Sequence, residues 1–239
     1  MSKTRLKIAI IPARGGSKRI PRKNIRPFCG VPAIERTVIS LKQSDLFSKV
    51  VISTDDLEIA RVGLDAGATD IISRNLKLSD DFTPTVPVIA DAITQLKLND
   101  VSDVDICCVY PVNPFLDIGN LIEGLALLNS NQFISYVNPI VTYQYPVERS
   151  LRIEDKNRIS MVDPMNLLKR TQDFEDYYHD AGQWYWARAK TWLRGDQLLS
   201  NSIGLKVPRW LAQDIDTLED WDYAEILFKL QLMKKNFNV

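Results

Sequence analysis

The chain is predicted to fold as an α/β protein on a mostly parallel sheet, and three observations predict it. Short β-rich runs alternate with helix-spaced segments along most of the 239 residues, which places a parallel sheet between helical layers. The run Val104–Val109 is strongly apolar, as a strand covered on both faces must be. The first run ends in a basic loop containing glycine, and in open α/β sheets ligands bind beyond the carboxyl ends of the strands.

Taken in order, Leu6–Ile11 reads as a buried parallel strand ending at Pro12. Pro32 stands at a first helical position, and Ile34, Val38 and Leu41 carry helical spacing. Lys49–Ser53 is the second strand. Asp55 or Asp56 caps a helix over Leu57–Asp65 that Gly67 stops. Asp70–Ser73 is a third strand, and Pro84–Leu98 is helical through Val88, Ile89, Ala92, Ile93 and Leu96. Val104–Val109 is a central strand, Asp117–Leu128 a helix and Gln132–Val137 a further strand. From 138 to 170 the rhythm changes: aromatics, prolines and charges mix, with β-like pieces at Ser150–Ile153 and Arg158–Met161. This segment reads as a β-rich insertion and a dimer contact. The chain returns with a strand at Gln183–Ala187, a short helix near Thr191, a strand at Ile203–Val207 and an amphipathic helix over Leu218–Met233. One domain, 1–239, with one insertion accounts for this order.

Composition excludes several function classes. Thirty basic and thirty acidic side chains cancel, so no global field draws the protein to nucleic acid or an anionic membrane. Cys29, Cys107 and Cys108 are an odd number, two of them adjacent in an apolar run, which argues against a disulfide framework. No run approaches the ~18 apolar residues of a membrane span, and the short apolar run after Lys7 is too brief for a signal peptide. The expectation is a cytoplasmic protein.

Positive charge is nevertheless local. Between Pro12 and Ile34 stand six Lys or Arg and no carboxylate. Gly15 and Gly16 let the backbone approach a ligand and turn successive N–H groups inward. Ser17 adds a hydroxyl, and Arg14, Lys18 and Lys23 can make charge-assisted bonds to phosphate. The pattern is neither Gly-x4-Gly-Lys-Ser/Thr nor Gly-x-Gly-x-x-Gly, yet its place at a strand end points to a polyphosphate. Near the other terminus, Asp214 and Asp216 share one side of an extended segment. A divalent cation held between carboxylates and substrate phosphates explains them. So does a helix start, with Asp216 as N-cap and Glu219 as its capping-box partner.

The run IPARGGSKRIPRKNI over residues 11–25 closely resembles the signature of the CMP-sialic-acid synthetase (acylneuraminate cytidylyltransferase) family. That resemblance implies a Rossmann-like three-layer sheet of the nucleotide-diphospho-sugar transferase type, with a small β-rich dimerisation insertion. It implies CTP and an acidic nonulosonic sugar as substrates, Mg2+ as cofactor, and a homodimer. It assigns the nucleotide to Ala13, Arg14, Gly15, Gly16, Ser17, Lys18, Lys23 and Asn24, with Arg14 and Lys23 also stabilising charge during transfer. The stretch 73–85 resembles the family's next conserved-looking block, although Asn75 replaces the usual proline; Arg74, Thr83 and Thr85 would meet base and ribose. Residues 109–117 resemble a loop that meets both substrates, through Asn113. Asp214-Ile215-Asp216 reproduces the family's magnesium site, with Asp216 also catalytic. The run KRTQDFEDYYHDAGQWYW at 169–186 resembles the pseudaminic-acid branch, and makes Arg170, His179, Gln183 and Tyr185 sugar-binding candidates. Pseudaminic acid is the sugar this favours, ahead of legionaminic or sialic acid. Rival classes are a sugar-1-phosphate nucleotidyltransferase, a non-catalytic nucleotide-binding module and a glycosyltransferase.

Overall fold

The computed structural model describes residues 5–98 and 100–237. Its strands are β1 (Leu6–Pro12), β2 (Pro27–Phe28), β3 (Val31–Pro32), β4 (Lys49–Thr54), β5 (Asp70–Ser73), β6 (Val104–Val109), β7 (Tyr136–Thr142), β8 (Leu151–Ile153), β9 (Ile159–Met161), β10 (Tyr178–Asp180), β11 (Trp184–Arg188) and β12 (Ser202–Lys206). Its helices are α1 (Ala33–Gln43), α2 (Leu57–Asp65), α3 (Thr85–Gln95), α4 (Ile118–Ser130), α5 (Ala189–Arg194) and α6 (Leu218–Phe237). No described helix is long and apolar enough to cross a membrane.

The main sheet runs β5-β4-β1-β6-β11-β7-β12, with β10 on the same edge of β7 as β11. β5, β4, β1 and β6 are parallel neighbours, while β11 runs antiparallel between β6 and β7. The mostly parallel sheet read from the sequence is therefore present, with one reversed strand. β10 and β11 are two halves of one strand, bent at Ala181–Gln183 where Gly182 takes a φ of +62°.

Both faces of the sheet are buried because alternate side chains enter different cores. Ala9 and Ile11 of β1 pack with α1, α2 and α4, whereas Ile8 and Ile10 pack with α3 and α5. β6 divides in the same way, Cys107 and Val109 to one side, Ile106 and Cys108 to the other. Asp105 interrupts this run, buried at the end of β6 remote from the basic loop, and is paired there with Arg5 and Arg188 at 2.9 and 2.7 Å.

A third, smaller cluster matters most for function. It joins Ile20 of the basic loop, Phe28, Phe115, Ile215, Trp221 and Ala224, with Trp221 and Phe228 edge-on to Phe28. Three segments far apart in sequence are thus packed on one apolar knot.

Two expectations shift. The strand placed at 132–137 lies at Tyr136–Thr142, because Pro139 stays in the sheet rather than ending the strand. Its missing N–H falls where the partner strand is interrupted by the Gly182 bend, and its carbonyl accepts from Ala181 N at 3.0 Å. Consequently the insertion expected at 138–170 does not begin at 138; the chain leaves the sheet after Thr142 and returns at Tyr178, carrying the β8–β9 hairpin between.

Gly124 tests the packing. A Cβ there would come within 2.5 and 2.8 Å of the Trp184 ring, which is fully buried and rigid. Gly124→Ala gains about 1 kcal/mol of helix propensity but overpacks a core, at a cost of roughly 1–3 kcal/mol. A net loss in urea unfolding is expected; a more stable variant would refute this packing.

Candidate active site

The basic loop leaves β1 at Pro12 and folds back through its own contacts. Buried Ala13 donates its N–H to Ser53 O at 2.9 Å. Asn24, also buried, donates from Nδ2 to Arg14 O at 2.9 Å, and Ile34 N donates to Asn24 O at 2.8 Å. Asn24 is therefore a strut of the loop as well as part of its wall. A cavity of about 410 Å³ opens between Arg14, Ser17, Lys18, Lys23, Asn24 and Asp216.

Every cation at this cavity already faces a carboxylate. Arg14 pairs with Asp81 at 2.5 Å and donates to Asp80 O at 2.9 Å. Lys18 pairs with the other oxygen of Asp81. Arg19 and Lys23 lie 2.7 and 3.6 Å from the two oxygens of Asp216. These pairs are exposed enough for water and salt to screen them, so a polyphosphate carrying several charges can replace them.

The glycines divide. The N–H of Gly15 donates to Asp55 Oδ1 at 2.9 Å, and a Cβ on Gly15 would meet Asp56 Oδ2 at 2.7 Å. Asp56 alone therefore leaves no room for a side chain at Gly15, besides any approach of a ligand. Gly16 borders open space. The alternative caps of α2 are also resolved: Asp56 accepts from Glu58 N and Ile59 N at 2.9 and 3.0 Å, and Asp55 serves the loop.

Asp216 is not the cap of α6. Asp220 accepts from Asp216 N and Thr217 N at 3.0 and 2.8 Å, and Thr217 Oγ1 accepts from Asp220 N at 3.2 Å. The capping box is Thr217–Asp220, one residue later than Asp216–Glu219, which leaves the Asp216 side chain to the cavity. Ile215 is buried in the small apolar cluster, and strand-like alternation turns both flanking aspartates away from it. Asp214 borders the neighbouring cavity of about 120 Å³ with Lys23, Asn113 and Gln183. Burial, and then the charge of Asp216, push the Asp214 carboxyl above the ordinary carboxylate range. Two hard oxygen donors under that strain suit a magnesium ion, which takes one or two carboxylates and completes its shell with phosphates and water. Among the described residues no group of three or more His, Cys, Asp or Glu converges as a cation cage.

A third cavity, about 210 Å³, is lined by Arg14, Arg74, Asp81, Thr83, Thr85 and Tyr110. Arg74 is buried, which lowers its pKa, and donates to Ser53 O at 2.7 Å. Asn113 Nδ2 donates to Gln183 O at 3.3 Å, so the Pro111–Pro114 turn is tied to the Gly182 bend.

The remaining sugar candidates lie elsewhere. Buried Tyr185 donates its hydroxyl to Asp180. His179 is exposed on β10, its Nδ1 2.9 Å from Asp180 O and its ring beside Tyr143. Arg170 is exposed in the excursion and pairs with Asp173 at 3.0 Å. Neither His179 nor Arg170 borders these cavities within one chain. Arg19, Asp81, Tyr110 and Gln213 do border them and were passed over. Arg19 carried a signal, as a sixth-charge neighbour in the acid-free loop, and so did the paired acids Asp80 and Asp81.

The chain belongs to the cytidylyltransferase family: a family model of that description matches residues 8–188. It is accordingly a CTP-dependent nucleotidyltransferase. It is 37% identical over 224 residues to the pseudaminic acid cytidylyltransferase of Campylobacter jejuni subsp. jejuni serotype O:2, covering 93% of this chain and 96% of that one. It is 33% identical to N-acylneuraminate cytidylyltransferase B of Danio rerio, covering 92% of this chain and 51% of that one. Among solved structures, CMP:2-keto-3-deoxy-manno-octonic acid synthetase complexed with CTP superposes with a TM-score of 0.67 at 15% identity, covering 95% of this chain and 99% of that one. This likeness bears out the nucleotidyltransferase fold.

Asp56 offers a check on the loop's electrostatics. Hydrogen bonding from Arg22, aided by the N–H groups of α2, holds its carboxyl below the ordinary range. A depressed carboxyl contributes stability that is fully present above the unfolded pKa of about 4 and is lost as pH falls through the lower folded value. Asn caps a helix about as well as Asp, so Asp56→Asn removes mainly the charge. We expect wild type to melt about 1–4 °C higher at pH 7, for roughly 0.5–1 kcal/mol, with the gap closing below pH 4. A gap independent of pH would contradict the pairing.

Proposed function

We propose that this chain transfers CMP from CTP to the anomeric hydroxyl of an acidic nine-carbon nonulosonic sugar, pseudaminic acid first, with release of pyrophosphate. The observation that carries this reading is the convergence of the acid-free loop and the Asp214–Asp216 segment on adjoining cavities. The resemblance to the pseudaminic acid cytidylyltransferases over 93% of the chain supports the choice of sugar.

In this reading the triphosphate displaces Asp81 from Arg14 and Lys18, and Ser17 and Lys23 complete its cradle. Arg74, Thr83 and Thr85 border the space left for the nucleoside. The small cavity beside Asn113 and Gln183 takes the reacting end of the sugar, with Lys23 facing both substrates. The sugar oxygen forms a bond to the α-phosphorus as the bond to the pyrophosphate oxygen breaks, and the hydroxyl proton passes to solvent water. Arg14 and Lys23 offset the charge that builds on phosphorus and leaving group, and they do so preorganised. Asp214 and Asp216 would hold Mg2+, which when bound polarises phosphate and hydroxyl oxygens.

The test is direct. With CTP, Mg2+ and a panel of pseudaminic, legionaminic and sialic acids, mass spectrometry should find CMP-pseudaminate, with pyrophosphate released one for one. Asp216→Asn should lower kcat by at least about 100-fold, or roughly 3 kcal/mol, even at saturating Mg2+. A loss under threefold removes Asp216 from the reaction, and turnover of a sugar 1-phosphate instead of the nonulosonates overturns the substrate class.

We also propose a homodimer formed through 143–177. Leu151, Ile153, Ile159, Met165 and Leu168 are all exposed there, a concentration of apolar surface that usually marks an interface. Sedimentation at micromolar concentration should give twice the chain mass, and Leu168→Asp with Met165→Asp should give monomers. A monomeric wild type rules this out.

A further inference from the structure

Tyr110 follows the last residue of β6 and borders two cavities at once. It lines the smaller one with Lys23, Asn113 and Asp214, and the nucleoside-side one with Arg14, Arg74 and Thr85. Its backbone N–H donates to Gln183 O at 2.9 Å, the same carbonyl that receives Asn113 Nδ2. Its hydroxyl lies 2.9 Å from Thr85 Oγ1. Its ring stands edge-on to Tyr185, centroids 5.6 Å apart.

The protons in this chain of groups have a direction. The Asp180 carboxylate can only accept, so Tyr185 must donate to it. Burial raises the Tyr110 phenol to about 12 and the Tyr185 phenol further, so both stay neutral beside an anionic substrate. Thr85 starts α3 on the nucleoside side, and Asp180 ends β10 just before the Gly182 bend on the sugar side. The Thr85 hydroxyl, expected to meet base or ribose, is engaged with Tyr110 at the edge of that cavity.

We propose that Tyr110 is a positioning residue for CMP transfer, registering the sugar-side floor at Gln183 against the nucleoside-side floor at Thr85 through its backbone and its hydroxyl together. The proposal rests on the reading of the cavities given under Proposed function. In-line attack needs the reacting atoms about 3–3.5 Å apart and aligned, and small displacements cost rate far more than affinity.

Tyr110→Phe keeps the ring and removes the hydroxyl; Thr85→Val removes its partner. In the full-length enzyme, each should lower kcat with the sugar acceptor five- to twentyfold. For Tyr110→Phe the Kd for CTP with Mg2+, read by calorimetry, should stay within threefold, and both variants should melt within a few degrees of wild type. Because both substitutions delete one bond, the double variant should lose no more than about twice what the worse single loses. The proposal is overturned if kcat stays within twofold, if the losses multiply, or if the CTP affinity of Tyr110→Phe falls in step with kcat, as a merely structural role requires. If wild type binds CTP but forms no CMP-sugar from any nonulosonate, the functional reading fails with it; turnover by wild type with an unaffected Tyr110→Phe sinks this proposal alone.

Discussion

The small apolar knot of Ile20, Phe28, Phe115, Ile215 and Trp221 is the constraint on which the site depends. A loop with six cations and a segment with two nearby aspartates do not stay in place by mutual attraction alone, since exposed ion pairs contribute about 0–1 kcal/mol each. Burial of one isoleucine or aromatic ring contributes roughly 1.5–3 kcal/mol. Ile20 in the middle of the cationic run and Ile215 between the aspartates are therefore the anchors. The charged side chains beside them are left facing the cavities. Arg26 over the Trp221 ring at 5.5 Å, and Arg36 over Phe228 at 4.9 Å, extend the same knot and take two cations out of competition for ligand.

With the segments anchored, electrostatics decides the character of the cavity. Asp81 engages Arg14 and Lys18, and Asp216 engages Arg19 and Lys23. The two acids differ in consequence. Asp81 stands alone between two cations and behaves as an internal stand-in for a phosphate. Asp216 lies close enough to Asp214 to raise that carboxyl, and such a pair gains from a divalent cation that a single carboxylate does not need. A chain with zero net formal charge thus gathers Arg14, Lys18, Arg19 and Lys23 at one cavity, each paired with a carboxylate.

The bent β10–β11 strand supplies the other half of the site. Its antiparallel course between β6 and β7 brings Gln183 beside the loop after β6. The Gly182 bend lets one strand pair with β7 at one end and with β6 at the other. The two cavities that Tyr110 borders consequently share a floor made of neighbouring strands rather than of separate lobes.

Local pattern determined the layers: the continuous apolar run in Leu6–Ile11, buried on both faces, and the helical spacing in Val88, Ile89, Ala92 and Ile93 reflect contacts local enough to be written in consecutive residues. Composition pointed towards an anionic ligand as well, because a stretch of cations without acids at a strand end suits phosphate. What tertiary structure decided is which groups of opposite charge meet. Asp55 and Asp56 were interchangeable as caps in one dimension, and only the approach of Gly15 and Arg22 separates them. Asp216 was a cap or a cavity residue until Thr217 and Asp220 closed the helix between themselves. Asp81 and Tyr110 carried no periodic signal, since their partners lie on other elements. His179 and Arg170 sat in a persuasive run yet do not line the cavities within one chain. The physical reason is common to all of these: a side chain's direction relative to distant segments depends on strand order and bends, and sequence spacing encodes only the face of its own element.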